Sequence, residues 1–131
     1  MITVTRKFHF CYGHHLPEYM GACSRSHGHN SEVEVEVGAR CPGDGELYPT
    51  MICDFRRLKE AVTPLLDRLD HQYLNTADSS PFRDDEGDPP TAEAIAAWLA
   101  IQINEQLPIN IYVCRVRVSE TPDCWAEWRT E

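Results

Sequence analysis

Two histidines flank a single glycine at His27-Gly28-His29, and Cys23 stands four residues before the first of them. On an extended strand alternate side chains share a face, so both rings point the same way, with Cα atoms roughly 6.6 Å apart at about 3.3 Å rise per residue. Imidazoles so placed can converge on one ion. Gly28 carries no side chain and lets other backbone come close. Cys23 is a candidate thiolate nucleophile or base. His14 follows a separate alternating segment, so three histidines from two segments can offer three ligands and leave a fourth position open. That is the arrangement of catalytic rather than structural zinc. Zinc held this way polarises a hydroxyl or carbonyl and stabilises the alkoxide or enolate left when a neighbouring proton departs. Any one of these rings is equally an ordinary core or surface imidazole, which is the reading adopted for His9 and His15.

Two further groups carry chemical potential. Asp70-His71 places a carboxylate beside an imidazole, which can orient the ring and raise its basicity for proton exchange with a thiol or hydroxyl. The same pair also suits a plain helix end, where the acid caps a turn. Glu120 follows an apolar run, and a carboxylate there can take two N–H donors from a heterocycle edge or simply remain a solvated strand-end charge. Glu32, Glu34 and Glu36 form an acidic stripe that can pair with Arg115 and Arg117 across neighbouring strands, as structural or interface chemistry.

The elements that must position these groups are legible in the hydrophobic pattern. From Ile2 to Tyr12 apolar residues fall on even positions, which predicts a half-buried strand that Pro17 should prevent from continuing. His14 shares the parity of its aromatic stripe. Val33, Val35 and Val37 alternate with the acidic stripe, and His27 and His29 share the valine parity, so a second strand begins near the histidines. Residues 40–50 read as a Gly/Pro-rich loop. Asp54 caps a helix with Phe55, Leu58, Val62, Leu65, Leu66 and Leu69 on its apolar face, and Pro64 should kink or interrupt it. A long polar loop spans Thr76 to Pro90. Thr91 caps a second helix that packs Ile95, Trp98, Leu99, Gln102 and Ile103 and stops near Pro108. Strands follow over Ile109–Val118 and Cys124–Arg129. The expected architecture is α+β: an antiparallel four-stranded sheet, in two hairpins, with two helices on one face.

Composition narrows the function classes. A 131-residue chain with 42% hydrophobic and 25% charged residues predicts one domain, residues 1–131, of a water-soluble globular kind. A net charge of −9 argues against nucleic acid or anionic membrane as a partner. No apolar run approaches a membrane span and the N-terminus lacks a signal-like segment, so a cytoplasmic location with reduced thiols is expected for the six cysteines. Without a Cys-x-x-Cys pair, a redox module is disfavoured.

Taken together, Phe10-x-x-x-His14-x-Leu16-Pro17, Cys23-x-x-x-His27-Gly28-His29, Met51-Ile52-x-Asp54-Phe55-x-x-Leu58-Lys59, Leu69-Asp70-His71-x-x-Leu74-Asn75, Pro90-Thr91-x-Glu93 and Glu120-Thr121 resemble, in order, the 6-pyruvoyltetrahydropterin synthase family. Within it, the three residues between Cys23 and His27 resemble the bacterial 6-carboxytetrahydropterin synthases of queuosine biosynthesis. The resemblance implies Zn2+ on His14, His27 and His29, with Cys23 as the proton-transferring catalytic residue and Asp70 and His71 as its relay. Glu120, with Thr121, would hold the pterin's amino-pyrimidine edge, and Glu120 would share in the relay. It implies a tunnelling fold whose sheets join into an oligomeric barrel, as a homotrimer or homohexamer. The implied substrate is a pterin triphosphate, 7,8-dihydroneopterin triphosphate. The implied products are 6-carboxy-5,6,7,8-tetrahydropterin, acetaldehyde and triphosphate. The nearest alternative is 6-pyruvoyltetrahydropterin synthesis or a related pterin side-chain lyase; from another class, a non-catalytic pterin-binding zinc protein. Two departures from the family pattern stand out: Tyr12-Gly13 where Ala-Ala is usual, and Thr50 where Gly often precedes the Met.

Overall fold

The computed structural model describes residues 1–41 and 48–131, so most of the loop expected over 40–50 lies outside the described residues. The first two strands, β1 (Thr3–His14) and β2 (His27–Ala39), pair antiparallel. Two helices follow, α1 (Phe55–Asp67) and α2 (Ala92–Gln106), with a two-residue strand β3 (Gln72–Tyr73) between them. Strands β4 (Ile111–Thr121) and β5 (Cys124–Arg129) complete the chain. The sheet runs β3-β1-β2-β4-β5. Four antiparallel strands with two helices match the expected layout; β3 is a correction to it. It lies parallel to β1 through Tyr12↔Gln72 and Gly13↔Tyr73, which makes the sheet five-stranded and mixed. Two residues are too few to show a period, so backbone pairing alone defines this strand.

Alternation decides which side of the sheet is covered. Phe10, Tyr12 and His14 of β1 and Val33, Val35 and Val37 of β2 are buried, together with Val113, Val116 and Val118 of β4. Leu58, Val62 and Leu66 of α1 and Ile95, Leu99 and Ile103 of α2 close the core over them. The opposite face carries the expected charge pairs. Arg115 reaches Glu36 at 2.9 Å and Glu34 at 3.1 Å, and Arg117 reaches Glu34 at 3.2 Å.

Both caps form as read from the sequence. Asp54 Oδ1 accepts from the Arg56 N–H at 2.8 Å, and Thr91 Oγ1 accepts from the Ala94 N–H at 3.0 Å. Pro64 sits inside α1 without ending it. The carbonyl deprived of a donor there belongs to Glu60, which is exposed and open to solvent. Helix α2 buries Ala92, Ala96 and Ala100 besides the expected Ile95, Leu99 and Ile103, while Trp98 and Gln102 are only half-buried, and the small side chains let it lie close on the sheet. Three strand ends move. β1 carries on through His14, because Pro17 lies three residues beyond the last pair. β4 starts later, at Ile111, after the turn in which the Ile111 N–H bonds Pro108 O, and extends to Thr121, which brings Glu120 into the strand. No helix among the described residues is long and apolar enough to cross a membrane.

Candidate active site

The register of β1 on β2 sets Tyr12 opposite His29 and His14 opposite His27. Directly opposed residues of an antiparallel pair share a face, so three imidazoles meet on the helix-covered side of the sheet. His14 Nε2 lies 3.0 Å from His27 Nε2 and 3.1 Å from His29 Nε2. Two of the rings have their tautomer assigned by the backbone. His14 Nδ1 lies 2.6 Å from Pro90 O, and His27 Nδ1 lies 2.7 Å from Arg25 O. A carbonyl only accepts, so each Nδ1 carries the proton and each neutral ring keeps a lone pair on Nε2. Lone pairs facing one another at 3.0 Å repel unless a cation lies between them. Nitrogens bound at about 2.0 Å to a tetrahedral zinc stand about 3.3 Å apart, close to the spacing found. The donor set therefore fits zinc.

Electrostatics keeps the rings ready to bind. Burial holds the His14 ring below the ordinary histidine range, opposed by its bond to the Pro90 carbonyl, while His27 and His29 push it further down. His29 is also lowered, again first by burial, with the Glu120 carboxylate pulling the other way. Neutral rings are the ones that ligate. Glu120 Oε2 stands 3.7 Å from His29 Nε2, at the rim of the cluster, and lines an open cavity of about 410 Å³ with Glu93, Cys124 and Trp125. Thr121 is exposed, and its hydroxyl accepts from the Asp123 N–H at 3.2 Å, shaping the β4–β5 turn.

Asp70-His71 builds a second cluster. After α1 the chain turns through the Asp70 N–H to Leu66 O bond at 2.7 Å, and His71 adopts a left-handed φ of 58°. A non-glycine residue there is strained and marks a position worth a functional reading. Asp70 Oδ1 accepts from the Cys11 N–H at 2.9 Å, and Oδ2 lies 3.0 Å from His71 Nδ1. The Cys11 N–H, and then the imidazole, hold the Asp70 carboxyl below its usual range. Cys11, Asp70 and His71 offer ligating atoms within 4.8 Å of one another, beside an open cavity of about 590 Å³. Cys11 is an odd residue of β1, so this cluster lies on the sheet face away from the three histidines. Cys23 is not part of it. It sits half-buried in a short 3-10 turn, Ala22–Ser24, where its carbonyl accepts from the Leu16 N–H at 2.8 Å. Within one subunit, then, the structure joins His14, His27, His29 and Glu120, and separately Asp70 and His71, but it sets this second pair against Cys11.

The model of the family described as 6-pyruvoyl tetrahydropterin synthase matches residues 3–131. This chain belongs to that family. Its relatives differ in the reaction their names give. A 6-carboxy-5,6,7,8-tetrahydropterin synthase of Synechocystis sp. is 36% identical over 106 residues, 80% of this chain and 77% of that protein. A dihydroneopterin monophosphate aldolase of Pyrococcus furiosus is 32% identical over 94 residues, 72% of this chain and 69% of that one. Among solved structures, the 6-pyruvoyl tetrahydropterin synthase of Caenorhabditis elegans superposes with a TM-score of 0.78 at 24% identity, over 99% of this chain and 96% of that one. The chain thus has the expected tunnelling fold, and it is a pterin side-chain lyase of the 6-pyruvoyl tetrahydropterin synthase family.

Against that family background, sequence reasoning missed four contributors. The Pro90 and Arg25 carbonyls that orient two histidines have no side-chain signal. Cys11 carries no local signal that ties it to Asp70, 59 residues away. Tyr12 alone could have been placed, because it precedes His14 by two on the same strand face. His15 behaves as expected, bonding Tyr73 Oη and lying 3.8 Å from Asp84. Cys11, Cys23, Cys41, Cys114 and Cys124 are free thiols.

Proposed function

We propose that this chain is a zinc-dependent 6-carboxytetrahydropterin synthase, a single-domain cytoplasmic enzyme acting on 7,8-dihydroneopterin triphosphate in queuosine biosynthesis. The products are 6-carboxy-5,6,7,8-tetrahydropterin, acetaldehyde and triphosphate. The observation that carries the reading is the convergence of three imidazole Nε2 atoms at about 3 Å beside a carboxylate. His14, His27 and His29 would hold the metal. Bound there, zinc supplies Lewis acidity toward a hydroxyl or carbonyl oxygen of the side chain.

The chain's own groups do the rest. Glu120 is in the β4 strand, held at the rim of the histidine cluster, where its carboxylate can take paired N–H donors from the pterin's amino-pyrimidine edge, with Thr121 beside it. Cys23 takes up and returns the proton that moves between the side chain and the ring. His71, oriented through Nδ1 by Asp70, exchanges a proton with that thiol through its other nitrogen. His71 is exposed and stands with Cys11, so the thiol it serves is best supplied across a subunit border. That arrangement supports assembly into a trimer or hexamer, which also covers the sheet edges at β3 and β5.

Incubating the purified, zinc-loaded protein with 7,8-dihydroneopterin triphosphate and identifying products by mass tests the reading. A 6-carboxy product with acetaldehyde is expected. A 6-pyruvoyl product would move the chain to the other branch, and tight pterin binding with no turnover would make it a binding protein.

A further inference from the structure

Tyr12 stands where the family pattern has a small residue, and it brings a polar atom to a place where packing alone would be better served by carbon. Its side chain is 3% exposed, and its hydroxyl has no hydrogen-bond partner among the described residues. Buried hydroxyls in folded proteins are nearly always paired, because an unpaired one has lost its water and gained nothing. Phe10, stacked on it with ring centroids 5.1 Å apart, shows that a plain phenyl fits this layer.

The surroundings of the ring say where the partner belongs. Tyr12 meets His14 edge-on at 5.1 Å between centroids and lies 5.5 Å from the His29 ring. Glu120 is near enough for its charge to act on the phenol. A phenol keeps its proton at neutral pH, so the hydroxyl is available as a donor. Three of the four groups that form the histidine site therefore lie around the one buried side-chain oxygen that has no partner among the described residues.

We propose that the Tyr12 hydroxyl is a positioning group of this site, donating a hydrogen bond to the oxygen ligand that completes the coordination left open by His14, His27 and His29. The inference rests on the zinc reading above. A donor directed at such an oxygen favours its anionic form, fixes its orientation and strengthens metal binding from outside the ligand set. Alanine at this position, the usual family residue, could not do so.

Tyr12→Phe removes the oxygen and keeps the ring. On the full chain, zinc affinity is measured by competition with a chromogenic chelator, and melting temperature is measured metal-free and at one fixed zinc concentration. The variant should melt no lower than the parent when metal-free, because the hydroxyl has no protein partner to lose. It should bind zinc about tenfold more weakly and show a smaller rise in melting temperature on zinc addition. Zinc affinity within about twofold of the parent, with the same thermal rise, would overturn the proposal and leave the three-histidine zinc site standing. A metal-free variant that melts clearly lower would also overturn it, since the hydroxyl would then be bonded to the protein. A parent chain that takes up no zinc would overturn the metal reading itself, and this proposal with it.

Discussion

His14 and Cys11 leave the same strand three residues apart and on opposite faces, and each anchors a cluster of titratable groups. Around His14 the groups come together within the one chain: the ring is 1% exposed, two tautomers are assigned by carbonyls and the three Nε2 atoms already meet. Around Cys11 the carboxylate is fixed by two donors, while the His71 ring it orients is 78% exposed. The contrast fits the roles proposed for the two clusters. Three ligands for one ion have to be aligned before the ion arrives, and a buried, hydrogen-bonded setting does that. A proton-exchanging ring needs its second nitrogen free to meet a group brought by substrate or by another subunit.

The largest effect should come from the inner cluster. His27→Ala should reduce zinc from one per subunit to none by metal analysis and abolish turnover. Full zinc occupancy in that variant would dismantle the ligand assignment. Next come the outer cluster and the thiol, Cys23, that it is proposed to serve. Cys23→Ala should retain zinc and lose about 100- to 10,000-fold in turnover. His71→Ala should lose a similar amount, and the double variant little more, since groups acting as one unit are not additive. Cys11→Ala sharpens the comparison. It should leave turnover near normal, and a loss matching that of His71→Ala would instead make Cys11 the thiol that the dyad serves.

Acid should separate the clusters by pH. His14 and His29 have their pKa values depressed by burial, so near 6.5 the unfolded chain takes up protons that the folded chain does not. Stability of the metal-free protein is therefore intact above about 6.5 and falls as pH drops toward the lower folded values. Asp70 is depressed below its ordinary 3.8, so its contribution is present above that value and is lost as pH falls through the lower folded one. Urea unfolding of metal-free protein across this range should show two separate losses, and a flat profile from about 6.5 to 5 would remove the first. The smallest effect is expected of Asp70→Asn, which keeps an acceptor for the Cys11 N–H but loses its charge. It should cost about 1 kcal/mol by thermal unfolding, with zinc affinity unchanged. A shift in zinc affinity would show that the two faces communicate through β1.

Much of this was readable before any coordinates. The parity shared by Phe10, Tyr12 and His14, and by His29 and Val33, put the histidines on the buried face, and Asp54, Thr91 and the Cys124–Arg129 strand came out where their chemistry placed them. Parity works because a strand's two faces are fixed by its covalent geometry. What it does not carry is the partner of a side chain across the fold. Cys11 meets Asp70 over 59 residues, and β3 exists because Gln72 and Tyr73 lie along the edge of β1. His71 reads as the end of a helix in the sequence, and only its left-handed backbone separates it from one.

The division of β1 into two working faces also limits how this protein can change. A deletion or insertion of one residue between Phe8 and His14 would exchange the faces, sending a histidine outward and the neighbouring positions into the core. Substitutions along the strand act on one cluster at a time, as Tyr12-Gly13 already illustrates. Length changes act on both together. The segment is therefore free to vary in composition and constrained in its count of residues, and diversification of the pocket should proceed by exchange of side chains at fixed spacing.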